Sequence, residues 1–119
     1  MGTICDASFP TFLLAHWVRD RAAGRIDLAE VIKGQCADTA AVVDLHDRGR
    51  LVPGLRADVN VIDLDRLDGG TPTIAYDLPA GGRRFTQNPT GYRHTLVAGE
   101  ETYCDGEATG ALPGRLLRR

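Results

Sequence analysis

With 119 residues, 43% of them hydrophobic, the chain has the length of one ordinary domain or of a piece of a larger one, enough to bury roughly two thirds of its unfolded surface. Its 14 basic and 16 acidic residues leave a net charge of −2 with no basic stripe interleaved with aromatics, which excludes a nucleic-acid footprint. No apolar run approaches the roughly 18 residues that span a bilayer and no basic-then-apolar leader opens the sequence, so the expectation is a cytoplasmic protein with no membrane partner.

Ser8 or Thr11 can cap a first helix that Pro10 helps to start, with Phe12, Leu13, Leu14, Trp17 and Val18 on a broad apolar face. Gly24 is the expected stop, and Arg19, Asp20 and Arg21 fall toward the other, solvated side. Asp27-Leu-Ala-Glu30 resembles a capping box, and Leu28, Val31 and Ile32 carry the helical period of a second helix. Asp38 can cap a third, short helix over residues 39–45. Three helices and no strand are therefore expected in the first 46 residues. Apolar faces this wide need a partner surface, since exposed Leu14 and Trp17 would otherwise form a patch. Either the chain self-associates through its helices or it covers a larger body.

A change of composition follows. Only Gly2, Gly24 and Gly34 precede position 49, and every other glycine lies at or beyond it, which separates a helical first third from a turn-rich remainder. The segment Asp47-Arg-Gly-Arg-Leu-Val-Pro-Gly-Leu-Arg-Ala-Asp-Val-Asn-Val-Ile-Asp63 marks the join. Gly49 and Gly54 can take positive φ at no Cβ cost, Pro53 presets the first position of a turn, and Val59, Val61 and Ile62 suit a half-buried strand. Strands over 50–52 and 58–63 are expected to pair across Pro53-Gly54. Residues 65–71 read as polar linker and 73–76 as an extended edge segment, ended by a turn at Gly81-Gly82. Strands over 92–98 and 101–104 read as a hairpin across Gly99-Glu100, and Leu116-Leu117 as a last short strand.

Chemistry-bearing residues are sparse. Cys5, Cys36 and Cys104 are an odd number at wide spacing with no Cys-x-x-Cys pair, which points to reduced thiols rather than disulfides or a zinc knuckle. His16 falls in a helix, His46 at the join and His94 in a strand, and no two are spaced to chelate one ion from one element. Cys5 with His16 lacks an orienting third group, so it does not read as a nucleophile and its base. Gly81-Gly82-Arg83-Arg84 could cradle an anion but reads first as a turn before a solvated strand. Asp63, Asp65 and Asp68 begin like a calcium loop, yet no Gly at the sixth position is followed by a Glu at the twelfth.

The join, with Gly49, Pro53, Gly54, Ala57 and Asp58 in place, resembles the closing segment of a metal-dependent amidohydrolase. Cys5-Asp-Ala-Ser-Phe-Pro-Thr11, Trp17-Val-Arg-Asp-Arg21, Asp77-Leu-Pro-Ala-Gly-Gly-Arg-Arg84 and Thr109-Gly-Ala-Leu-Pro-Gly-Arg115 narrow the resemblance to the D-aminoacylase or N-acyl-D-amino-acid deacylase group. It implies an α/β fold in which residues 1–46 are terminal helices of a (β/α)8 barrel and 47–119 the C-terminal strands of a small β-sandwich domain. Leu13, Leu14, Trp17 and Val18 would cover the barrel, and Val59, Val61, Ile62, Leu96 and Val97 would form the sandwich core. The parent reaction would be zinc-assisted hydrolysis of a non-peptide carbon–nitrogen bond.

The family's His-x-His pair, further histidines, bridging ligand and acid/base Asp have no counterpart here, and Asp6 belongs to the segment after that Asp. The resemblance thus implies no catalytic residue, metal ligand or cofactor in this chain, with zinc held by the full-length protein. Without a metal or a positioned base, nothing lowers the pKa of the attacking water from about 16 toward 7. The chain alone is expected to be inactive on N-acyl amino acids, as a truncated or split gene product. Its partner would be the missing N-terminal barrel portion, or a second copy docked through the helical face. A self-associating, non-catalytic interaction module is the alternative.

Overall fold

The computed structural model describes residues 8–117, and the expectations placed on Cys5 and Asp6 lie outside them. Two helical segments come first. Helix α1 (Ser8–Phe12) runs without a break into a wider helical stretch, Leu13–Asp20, which closes with the Arg21 N–H on the His16 carbonyl, five residues back, at 3.0 Å. Arg21 then turns extended, so the helix stops at Asp20 and not at Gly24. Gly24 lies in the turn that brings the Ile26 N–H to the Trp17 carbonyl at 3.0 Å.

Helix α2 (Leu28–Lys33) opens as its sequence predicts, with the Asp27 carboxylate accepting the Glu30 N–H at 3.1 Å. It continues through another wide stretch, Gly34–Asp38, into α3 (Thr39–Val42). The separate third helix is therefore corrected to the end of the second. Asp38 has helical dihedrals and caps nothing; its carboxylate takes the Lys33 ammonium at 2.7 Å instead.

The strands are β1 (Val59–Ile62), β2 (Thr73–Leu78), β3 (Gly82–Thr86), β4 (Tyr92–Val97), β5 (Glu100–Cys104) and β6 (Glu107–Ala108). They form a four-stranded sheet in the order β1-β4-β5-β6 and a separate β2-β3 hairpin, antiparallel at every ladder. The fold is thus α/β, with helices followed by antiparallel sheets. Three strand expectations need correction. Residues 50–52 form no strand, because β1 takes its partner from β4 some thirty residues on. The β4–β5 turn is Ala98-Gly99, one residue earlier than expected, since both take positive φ (54° and 82°) as a two-residue hairpin loop requires. Leu116-Leu117 pairs with nothing in the sheets, and the last strand is β6.

The core is small and shared between the two halves of the chain. Leu14, Val31 and Leu67 are its buried centre, with Leu13, Val18, Ile26, Ile62, Leu64 and Tyr92 packed against them. Leu67, at 0% exposed, sits in the stretch read as polar linker, where a tight helical turn (Leu64–Arg66) places it inward. The Arg19 guanidinium reaches this turn and donates to the carbonyls of Leu64 at 2.5 Å and Leu67 at 2.9 Å. That corrects the solvated reading of Arg19: a long cation here adds charge-assisted bonds to the carbonyls of a short turn.

Candidate functional site

The join between helices and sheet is held by one carboxylate. Val52-Pro53-Gly54-Leu55 closes a turn, with the Leu55 N–H on the Val52 carbonyl at 3.2 Å and Gly54 at φ 91°. Gly49 takes φ 84°, and a Cβ there would lie 2.7 Å from the Cys36 carbonyl oxygen. Asp58 then accepts the Arg56 Nε–H at 2.8 Å, an Arg48 N–H at 3.0 Å and the Ala98 backbone N–H at 2.8 Å. Partial burial works to raise its carboxyl, but the Ala98 N–H and the Arg56 and Arg48 guanidiniums outweigh it and hold it below the usual carboxylate range. Beside it, the Ala57 carbonyl accepts the Gly99 N–H at 2.8 Å. The join therefore fixes the β4–β5 turn, and its Asp58 carboxylate is taken up in that role.

The residues singled out for their chemistry are spread over the molecule. His16 stacks on Phe12 with ring centres 4.9 Å apart and meets Trp17 edge-on. Trp17 is 37% exposed, with the Arg21 guanidinium 4.1 Å over its ring. Cys36 and Cys104 are free thiols. Arg84 is engaged by Asp77 at 2.8 Å, and the expected turn at Gly81-Gly82 falls one step earlier, at Pro79–Gly81, with Gly82 already in β3 and paired to Leu78.

One cluster was not foreseen in the sequence. On β4 and β5, His94, Glu101 and Cys104 bring ligand-type atoms within 4.8 Å of one another. His94 Nδ1 lies 2.5 Å from a Glu101 carboxylate oxygen and 3.9 Å from the Cys104 sulfur. Glu101 and Cys104 are three apart on one strand, a spacing that normally sends side chains to opposite faces. A bulge removes the conflict: the register steps from Thr95↔Tyr103 to Leu96↔Glu101, leaving Thr102 without an opposite residue. The bulge is pinned by the Thr102 hydroxyl on the Thr95 carbonyl at 3.1 Å. A second irregularity, where β1 meets Arg93, puts Tyr92 against the helices and His94 on the opposite, open face. Partial burial raises the Cys104 thiol, and the Glu101 and Asp105 carboxylates push it further, so it is not an activated nucleophile.

No helix among the described residues is long and apolar enough to cross a membrane. No curated protein and no solved structure matches the sequence. The model of the amidohydrolase family matches residues 1–103, which take in the helices, the join and the sheet through most of β5. By that match the chain belongs to the amidohydrolase family.

Proposed function

We propose that this chain is the closing portion of a zinc-dependent amidohydrolase that hydrolyses non-peptide carbon–nitrogen bonds of the N-acyl-D-amino-acid type. In this reading its helices cover the last part of a (β/α)8 barrel and its strands complete a β-sandwich, and its own contribution is structural. The observation that carries it is surface. The chain exposes 8706 Å², roughly 2,400 Å² more than the about 6,300 Å² expected of a compact monomer of 12.8 kDa. Its radius of gyration, 15.9 Å, exceeds the about 13.5 Å of an ordinary domain of this length. Phe9, Phe12, Val42 and Leu51 are among the large apolar side chains left exposed. An amidohydrolase segment with this much excess surface and these apolar side chains exposed fits a larger body of its own family.

Zinc does not fit the residues present as a catalytic ion. The sequence holds His16, His46 and His94 only, with no His-x-His pair, and the cluster on β4–β5 lacks the two-histidine character of the family's set. No hydrolytic step is therefore derived for this chain. Among the described residues Cys36 and Cys104 are free thiols, which fits work in a reducing compartment such as the cytoplasm.

The same uncovered surface favours a second reading, a self-associating module without chemistry. The size of the endogenous protein separates the two. Blotting a lysate with an antibody against residues 47–119 should show a band several times heavier than 12.8 kDa under the first reading. A band at 12.8 kDa that sediments as a compact dimer and needs no partner would overturn it in favour of the second.

A further inference from the structure

We propose that His94, Glu101 and Cys104 form a binding site for a late divalent transition metal of the zinc class on the open face of the four-stranded sheet. The site uses this chain's residues only, so it stands or falls independently of the deacylase reading.

The ligand chemistry selects the ion. One imidazole nitrogen, one thiolate sulfur and one carboxylate oxygen are a borderline-soft set, suited to zinc or cobalt(II) and unsuited to calcium or magnesium, which take oxygen throughout. Geometry is close to what such an ion needs. Tetrahedral ligands at about 2.0–2.3 Å from zinc stand about 3.5 Å from one another. The His94 and Cys104 atoms are already 3.9 Å apart, and all three ligand atoms lie within 4.8 Å. The 2.5 Å His94–Glu101 contact must open and the wider separations close slightly, and both of those side chains are near half exposed, at 48% and 41%, with room to turn. Water can supply the fourth ligand from the open face.

The backbone prepares the set before any ion arrives. The bulge at Thr102 turns Glu101 onto the face of Cys104, and direct pairing of Cys104 with His94 fixes the third ligand beside them. The tight Ala98-Gly99 turn and the Asp58–Ala98 hydrogen bond hold the hairpin that carries all three. A plain surface ion pair between His94 and Glu101 would have no use for the thiol that the pairing of Cys104 with His94 sets beside it.

Cobalt(II) titration of the chain with Cys5 and Cys36 both replaced by Ser tests the site. One equivalent should saturate a thiolate-to-cobalt charge-transfer band, and zinc should displace it. C104S should abolish the band, and H94A and E101Q should each weaken binding roughly tenfold or more, the scale on which even outer partners of metal ligands act. On the unmodified chain, zinc should slow alkylation of Cys104, located by mass spectrometry, and leave Cys36 unaffected. A band that survives C104S, an affinity unchanged in H94A, or equal alkylation of both cysteines with and without zinc overturns the site.

Discussion

The Thr11 hydroxyl and the Tyr92 phenol are hydrogen-bonded at 2.7 Å across 81 residues of sequence, joining the first helix to the start of β4. Thr11 is fully buried, so neither water nor another side chain replaces the bond readily. T11V keeps the shape and strands the phenol oxygen in a partly buried site. It should cost about 1–2 kcal/mol in urea unfolding, while Y92F in the same background adds little. Additive losses from the two substitutions would show that the pair is not coupled.

Arg19 links the same helical segment to the turn after β1 by charge-assisted bonds to the Leu64 and Leu67 carbonyls. R19M preserves the packing of the stem and removes every donor. The expected loss is about 2–3 kcal/mol, with faster amide exchange in the Leu64–Arg66 turn before the helices open. Exchange that quickens first in β4 and β5 would place the coupling elsewhere.

Asp58 makes stability depend on acid in a defined direction. Its carboxyl in the folded chain titrates below the ordinary value, so its contribution is complete above about pH 4 and is lost as pH falls through the depressed folded value. D58N should cost about 1–3 kcal/mol at pH 7 and flatten the acid limb of the stability profile. An acid limb as steep in D58N as in the parent would assign it to other carboxylates.

The two glycines of the join differ in what surrounds them. Both have positive φ, but the space beside Gly54 is open, whereas a Cβ on Gly49 meets the Cys36 carbonyl and the Ala40 side chain. G54A should cost about 1–2 kcal/mol from backbone strain alone. G49A should cost about 3 kcal/mol or more, because strain and overpacking add, and should unfold at visibly lower urea. Equal midpoints for the two variants would show that the Gly34–Asp38 stretch and the start of α3 move aside freely.

Local features were legible in the sequence because their physics is local. Asp27 caps α2 through a bond spanning three residues, Pro53-Gly54 turns the chain by its own dihedral preferences, and Val59, Val61 and Ile62 declare a strand by type. Asp38 shows the boundary of that approach. Its side chain suits a cap, yet a lysine five residues back offers a stronger partner and the helix runs on through it.

What the sequence by itself determined was therefore the helical first third, the turn-rich strand region after it, several local caps and turns, and the order of motifs that places the chain in its family. Only the tertiary structure decided that β1 pairs with β4, that Leu67 is buried, that Arg19 spans two segments, and that His94, Glu101 and Cys104 share one face. Each of these depends on residues brought together by closing long loops, or on a one-residue bulge that reverses the facing of a strand. Neither leaves a period or spacing in the sequence, since a register shift changes which side chains meet without changing any residue's own preference.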